Sequence, residues 1–194
     1  MARDRASRPE GKALRLFVAF DVAAEAADVI ETAIEPWRSE FPDARWVPRE
    51  NWHITVKFLG QTWPRLEGWV RDRVGDAASS LRPVGTRLTG LGCFPSPGRA
   101  RVLWAGIDDG PGRLAEIALA LDAALAREFK PETRAFSAHL TVARSDPPLR
   151  LPAAFGETRV EPVAFRVERL TLYRSHLRRP APWYEPLATF PLEG

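Results

Sequence analysis

The chain has 194 residues, and its hydrophobic fraction of 45% is sufficient for one domain or for two small lobes around a shared core. With 28 basic and 25 acidic residues the net charge is only +3, which permits a nucleic-acid partner without indicating one. The single cysteine, Cys93, excludes an intramolecular disulfide and predicts a cytoplasmic location. No apolar segment of the sequence approaches the length of a membrane span, so a membrane partner is not expected.

The chain is expected to start with a flexible tail, residues 1–14, because its first residues are polar and basic and lack the apolar centre of a signal peptide. A single bilobal domain is expected over residues 15–194. Its first strand is predicted at 15–20, where the apolar run is typical of a strand buried on both faces. Asp21 is a candidate N-cap for the helix that follows, and Pro36 is expected to end or kink that helix.

Apolar spacing separates the helices from the remaining strands. Stripes of residues three and four apart predict helices at 22–37, 66–74 and 114–129. Alternating or continuous apolar runs predict strands at 46–47, 51–60, 84–91, 101–107, 138–144, 163–173 and 183–190. Gly60 is expected to end its strand, and Pro186 places the last strand at a sheet edge. The doubled order of elements predicts an α+β fold, with two pseudo-symmetric lobes of antiparallel sheet, helices outside and a central cleft.

Two strands predicted to face this cleft carry a His-x-Thr motif. In the first, His53, Thr55 and Lys57 are alternate residues and are expected to share one face of the strand. In the second, His139 and Thr141 share a face in the same way. Successive side chains point to opposite faces of a strand, so each motif presents an imidazole and a hydroxyl on the same side. One such motif is weak evidence for a site, because a histidine on a strand is commonly structural. Two matching copies are much stronger evidence.

Two imidazoles that converge on one phosphorus atom can hydrolyse a phosphate ester. Histidine titrates near neutral pH, so one ring can deprotonate the nucleophile while the other protonates the leaving oxygen. The threonine hydroxyls can donate hydrogen bonds to phosphate oxygens, and Lys57 can stabilise the developing charge. This chemistry requires no metal ion or other cofactor, and the sequence has no His, Asp and Glu cluster at ligand spacing.

The segments around both motifs resemble one family. They are Arg15–Ala19, Trp52–Gly60, Gly92–Pro95, Arg101–Trp104, Phe136–Arg144 and Leu172–Ser175, with Tyr184 near the end. These segments make the chain similar to the two-histidine phosphoesterase superfamily. Within it, the chain looks most like the bacterial and archaeal RNA 2′,3′-cyclic phosphodiesterases, also called 2′-5′ RNA ligases. The resemblance covers nearly the whole chain, and the pair of histidine motifs is its most specific part.

The resemblance implies an activity and a role for each matching residue. The activity is hydrolysis of a terminal 2′,3′-cyclic phosphate on RNA to a 2′-phosphate, with reversible 2′-5′ joining of tRNA halves and no nucleotide cofactor. By position, His53 would be the general acid and His139 the general base, while Thr55 and Thr141 would hold the phosphate. Arg144 matches a substrate-binding arginine of the family. In an uninterrupted strand its side chain would point to the face opposite His139, so it reaches the site only if the strand ends or bulges there.

Some features leave the assignment open. Ala138 stands where the family usually has proline, which affects backbone rigidity more than chemistry. Lys57 is a candidate for substrate binding, and the basic cluster around His176 is either an RNA-phosphate contact or a solvated turn. The alternative functions are a phosphodiesterase for a small cyclic nucleotide or oligoadenylate, and a non-catalytic RNA-end binding module. The expected partner is RNA or a nucleotide with a 2′,3′-cyclic phosphate end, and the expected state is a monomer.

Overall fold

The computed structural model describes residues 11–179 and 181–194. Most of the predicted tail, residues 1–10, therefore lies outside the described residues. The remaining tail residues lead directly into the first strand, which begins at Leu14.

The described part of the chain contains nine strands. They are β1 (Leu14–Asp21), β2 (Arg45–Trp46), β3 (His53–Thr62), β4 (Val84–Phe94), β5 (Ala100–Ile107), β6 (His139–Leu149), β7 (Ala164–Val167), β8 (Arg169–His176) and β9 (Trp183–Pro191). The α-helices of the same part are α1 (Ala24–Glu40), α2 (Glu67–Ser79), α3 (Arg113–Leu125) and α4 (Ala153–Gly156). Short 3-10 turns occur at Arg49–Asn51, Pro64–Leu66 and Pro97–Arg99.

The strands form a curled antiparallel sheet in the order β7-β4-β5-β6-β3-β1-β8-β9, and β2 pairs with β6. One lobe consists of β7, β4, β5 and β6, and the other of β3, β1, β8 and β9. The two histidine strands, β3 and β6, are innermost and join the lobes. The unit strand, helix, histidine strand occurs as β1-α1-β3 and again as β5-α3-β6. The predicted α+β fold with two pseudo-symmetric lobes is confirmed, and β9 lies at an edge as Pro186 indicated.

The helices bury the apolar stripes that predicted them. In α3 the stripe is Leu114, Ile117, Leu121 and Leu125, all buried. In α2, Val70 and Val74 of the predicted stripe are buried, and in α1, Ala26 and Ala33 are. The buried faces also include Ala78 in α2 and Ile30 and Ile34 in α1. Helices α2 and α3 pack against each other, and α2 also packs against β9. Because this core holds both lobes, the inner strands are fixed relative to one another.

Some predicted boundaries are wrong. Asp21 belongs to β1, and the capping position of α1 is Ala23, whose methyl group cannot accept a hydrogen bond. Pro36 does not end α1, which continues to Glu40. Gly60 adopts a positive φ of 68° and β3 continues past it to Thr62.

The strand predicted at 163–173 is in fact two strands that belong to opposite lobes. Strand β7 pairs with β4, whereas β8 pairs with β1. Glu168 separates them. The buried residues are Phe165 and Val167 in β7 and Leu170, Thr171 and Leu172 in β8, so the break falls where Glu168 and Arg169 interrupt the apolar pattern.

Candidate active site

Both histidine strands carry a β-bulge at the valine that follows the motif threonine. In β3, Thr55 pairs with Ala19 and Lys57 pairs with Val18, so Val56 is an extra residue. In β6, Thr141 pairs with Trp104 and Ala143 pairs with Leu103, so Val142 is the extra residue. An extra residue in one strand reverses the alternation of the side chains beyond it. The two bulges thus change which residues reach the cleft.

The bulge in β3 turns Lys57 away from the cleft. Its side chain is only 7% exposed and forms an ion pair with Asp122 of α3. It also donates a hydrogen bond of 2.8 Å to the backbone carbonyl of Lys130. The prediction that Lys57 shares the face of His53 is therefore wrong, because it assumed an uninterrupted alternation. Phe58 takes the place on the cleft side and is 50% exposed.

The bulge in β6 has the opposite consequence for Arg144. This residue is exposed and lines the cavity together with His53, Thr55 and Thr141. The sequence indicated that Arg144 reaches the site only if the strand ends or bulges after His139. The bulge at Val142 meets this requirement.

The four motif side chains come together where β3 meets β6. Ile54 pairs with Leu140 in an antiparallel register. When this register is continued by one residue in each direction, His53 lies opposite Thr141 and Thr55 lies opposite His139. His53 and His139 are then diagonal neighbours across the two strands. In regular antiparallel pairs, the Cα atoms of diagonal neighbours lie about 7–8 Å apart. The seam between the lobes therefore presents two imidazoles and two hydroxyls related by an approximate two-fold axis.

A cleft of about 400 Å³ opens on this seam. Its walls include Arg15 and Arg144, and none of the described residues that line it is acidic. Tyr184 also lines it, and burial raises the pKa of this tyrosine. His139 is not among the lining residues. It packs edge-on against the ring of Phe94, with the centroids 5.1 Å apart.

Each histidine is held by the backbone carbonyl two residues before it. His53 Nδ1 donates to the carbonyl oxygen of Asn51 at 2.8 Å, and His139 Nδ1 donates to that of Ser137 at 2.7 Å. A carbonyl oxygen can only accept, so Nδ1 carries the proton in both rings. Nε2 is then the nitrogen available for proton exchange in both histidines.

Burial favours the neutral form of both histidines in the unliganded protein. Burial lowers the pKa of His53 to about 4, against the raising effect of its bond to Asn51, and the charges of Arg144 and His139 lower it further. Burial also lowers the pKa of His139, with a smaller contribution from Arg144. The charge of His139 lowers the pKa of His53, so the two imidazoles lie close enough to interact electrostatically.

Asp21 supports His53 from the neighbouring strand. It pairs with His53 in the β1–β3 register, and its negative charge raises the histidine pKa. Three donors hold this carboxylate: the Tyr173 hydroxyl at 2.6 Å, the Thr171 hydroxyl at 3.2 Å and Arg169 Nε at 3.2 Å. Sequence analysis missed this role because Asp21 matched an N-cap, and only the strand pairing separates the two interpretations.

Aromatic side chains complete the surroundings of each histidine. Phe17 lies 4.7 Å from His53, centroid to centroid, and Tyr184 meets it edge-on at 5.2 Å. On the other side, Trp104 lies 6.4 Å from His139. Gly92 makes room for Trp104, because a Cβ on this glycine would be 2.2 Å from the indole ring.

Other candidate residues lie apart from the seam. The third histidine, His176, bonds to Glu185 at 2.7 Å and lines a neighbouring cavity. Over the described ranges, no group of three or more His, Cys, Asp or Glu side chains could hold a metal ion. None of the helices in these ranges is long and apolar enough to cross a membrane.

A two-lobed antiparallel sheet with one His-x-Thr strand from each lobe at its seam defines the architecture of a two-histidine phosphoesterase. A model of the 2′-5′ RNA ligase superfamily matches residues 26–179, and the chain belongs to this superfamily.

Curated relatives and solved structures agree with this membership. An RNA 2′,3′-cyclic phosphodiesterase of Aeropyrum pernix is 35% identical over 73% of this chain and 82% of its own. One of Geobacillus stearothermophilus is 30% identical over 92% of this chain, which spans only 57% of that relative. The crystal structure of TT0787 of Thermus thermophilus has a TM-score of 0.74 at 29% identity, covering 93% of this chain and 98% of its own. E. coli LigT in apo form has a TM-score of 0.73 at 25% identity, covering 95% and 100%.

Proposed function

We propose that the protein hydrolyses the terminal 2′,3′-cyclic phosphate of RNA to a 2′-phosphate by acid–base catalysis with His53 and His139, without a metal ion. The observation that carries the proposal is the pairing of two His-x-Thr strands at one seam, beside Arg144 and a cleft whose described lining residues include no acidic side chain. The names of the Aeropyrum and Geobacillus relatives support the same substrate. Reversible 2′-5′ RNA ligation belongs to the same proposal, since a 5′-hydroxyl in place of water would attack the same phosphorus atom, displace the 3′ oxygen and leave a 2′-5′ phosphodiester.

In the proposed reaction His139 Nε2 removes a proton from water, and the resulting hydroxide attacks phosphorus opposite the 3′ oxygen. The bond between phosphorus and the 3′ oxygen breaks, and His53 Nε2 gives its proton to that oxygen. The product keeps the phosphate on the 2′ oxygen. The number of protons balances, because the base gains the one that the acid loses.

His53 must be protonated to act as the acid, although its pKa in the unliganded protein is about 4. An anionic phosphate bound beside the ring favours the charged imidazolium and so raises this pKa. Asp21 acts in the same direction. The protonated form is thus promoted when substrate is present.

The remaining side chains stabilise the charge that builds up on the phosphate. Thr55 and Thr141 donate hydrogen bonds to its non-bridging oxygens. Arg144 supplies a permanent positive charge, and removing one such group commonly lowers kcat about 100- to 1,000-fold. Lys57 is not part of this scheme, since it is buried against Asp122.

The direct test is turnover of a nucleoside 2′,3′-cyclic phosphate in excess EDTA. The expected product is the 2′-phosphate, and His53→Ala and His139→Ala should each abolish its formation while the thermal unfolding transition is retained. Near-normal turnover by either variant would disprove the assignment. Tight binding of RNA ends without turnover by the wild type would instead support a binding module, and loss of turnover in EDTA would refute metal independence. The cytoplasmic location and the monomeric state stay predictions.

A further inference from the structure

A second cavity of about 310 Å³ lies beside the cleft. The two cavities share Arg15, Ser175 and Leu177 in their walls. The two cavities are therefore adjacent, with residues of β1 and the end of β8 lying between the catalytic seam and the second cavity. A molecule anchored at the seam can extend into this second cavity.

The walls of the second cavity are strongly basic. They include Lys12, Arg15, Arg174 and Arg178, and none of the described lining residues is acidic. Arg174 lies 3.9 Å from the carboxylate of Glu185. Lys12 and Arg178 take part in none of the ion pairs between described residues. Glu185 is also engaged by His176 at 2.7 Å. Glu185, which lies outside the cavity, is thus the one carboxylate paired with these cations among the described residues. The positive charges outnumber it, so the potential in the cavity is positive.

Arg178 is partly ordered before any ligand arrives. Its guanidinium lies 4.8 Å from the centroid of the Trp183 ring, in a cation–π contact. A planar guanidinium held in this way is well suited to bidentate contact with phosphate.

We propose that this second cavity binds a backbone phosphodiester of the RNA strand whose cyclic phosphate lies at the seam, namely the phosphate on the 5′ side of the terminal nucleotide. The inference rests on the proposed function and extends it to substrate choice. An RNA end fills both cavities, whereas a nucleoside 2′,3′-cyclic phosphate fills only the cleft. The enzyme therefore selects polynucleotide ends over free cyclic nucleotides.

The test compares three substrates with the same terminal base: a nucleoside 2′,3′-cyclic phosphate, the same compound with a 5′-phosphate, and a tetraribonucleotide with a 2′,3′-cyclic end. In the wild type, adding the 5′-phosphate should lower KM about tenfold. In the double variant Lys12→Gln/Arg178→Gln this KM ratio should fall close to one. The matched control is Arg113→Gln/Arg166→Gln, which removes two exposed arginines elsewhere and should keep the wild-type ratio.

Salt dependence provides a second measurement. Each phosphate contact with single-stranded RNA contributes about 0.7 to the slope of log affinity against log salt. The double variant should lose about this amount for the tetranucleotide, and the control pair should not.

Equal KM values for the three substrates in the wild type would overturn the inference, as would a double variant that raises every KM alike. Failure of the proposed function looks different, because no substrate would then be turned over. In that case, binding of a tetraribonucleotide with a 2′-phosphate end, compared between the double variant and its control, still decides whether the second cavity holds a backbone phosphate.

Discussion

Arg144 and Phe58 occupy equivalent positions in the two histidine strands, each the third residue after the motif threonine and each beyond a bulge. Both side chains line the same cleft. The seam is thus symmetric in its two motifs, but an arginine and a phenylalanine occupy the equivalent positions beyond them. Arg15 lies over the Phe58 ring at 4.7 Å, so the positive charge on this side is carried by β1 and not by the histidine strand. A pseudo-symmetric seam of this kind can hold its substrate in a single orientation.

Replacing Arg144 tests the charged end. We expect Arg144→Gln to lower kcat/KM for a cyclic phosphate about 100-fold or more, because a charge that stabilises the transition state is lost. The guanidinium also lowers the pKa of both histidines, so its removal should move both limbs of the pH–rate profile to higher pH. Arg166→Gln, on an edge strand, is the control. An unchanged pH profile in the variant would contradict the electrostatic role.

Breaking the buried Lys57–Asp122 pair tests the consequence of the β3 bulge. We expect Lys57→Met to lower the free energy of unfolding by about 3–5 kcal/mol, because Asp122 becomes an unpaired buried charge. The double variant Lys57→Met/Asp122→Leu should recover much of this loss. Chemical denaturation measures both. If Lys57→Met instead left stability intact and removed only activity, Lys57 would be a cleft residue after all.

Gly92 tests the packing beside His139. A Cβ at this position would overlap the Trp104 ring, so Gly92→Ala should displace the indole and destabilise the protein by about 1–3 kcal/mol. Turnover should fall as well, because the displaced ring is a neighbour of His139. Gly85→Ala, in the same strand, is the matched control, since a Cβ there would meet nothing within 4 Å. Equal effects from the two substitutions would exclude the proposed contact.

The lowered pKa of His53 predicts a pH dependence of stability. The unfolded chain binds a proton at this histidine below about pH 6.5, whereas the folded protein binds it only near pH 4. The unfolded state therefore gains protons first, and stability falls as the pH decreases through this window. The His53 contribution lost between pH 7 and pH 4 is on the order of 3 kcal/mol.

Denaturation of the wild type and His53→Gln over this range measures that contribution. Other groups titrate in both proteins, so the difference between their pH curves isolates His53. The variant should lose less stability on acidification. Parallel curves would show that His53 is not protected from protonation in the folded protein.

The sequence by itself determined the doubled order of elements, the α+β class and the two rows that contain His53 with Thr55 and His139 with Thr141. These follow from local alternation and helical spacing, which depend on neighbouring residues in the chain. The same patterns did not reveal the break at Glu168, because β7 and β8 follow each other with one residue between them and differ in the strands with which they pair.

Only the tertiary structure decided the roles of Lys57, Phe58, Arg144 and Asp21. The two bulges arise from pairing with β1 and β5, and they reverse the side-chain alternation after Val56 and Val142. A sequence pattern that assumes an uninterrupted strand then assigns the residues directly after each of these bulges to the wrong face. Asp21 likewise acquires its position from the strands on either side of it, so its role depends on contacts between residues far apart in the chain.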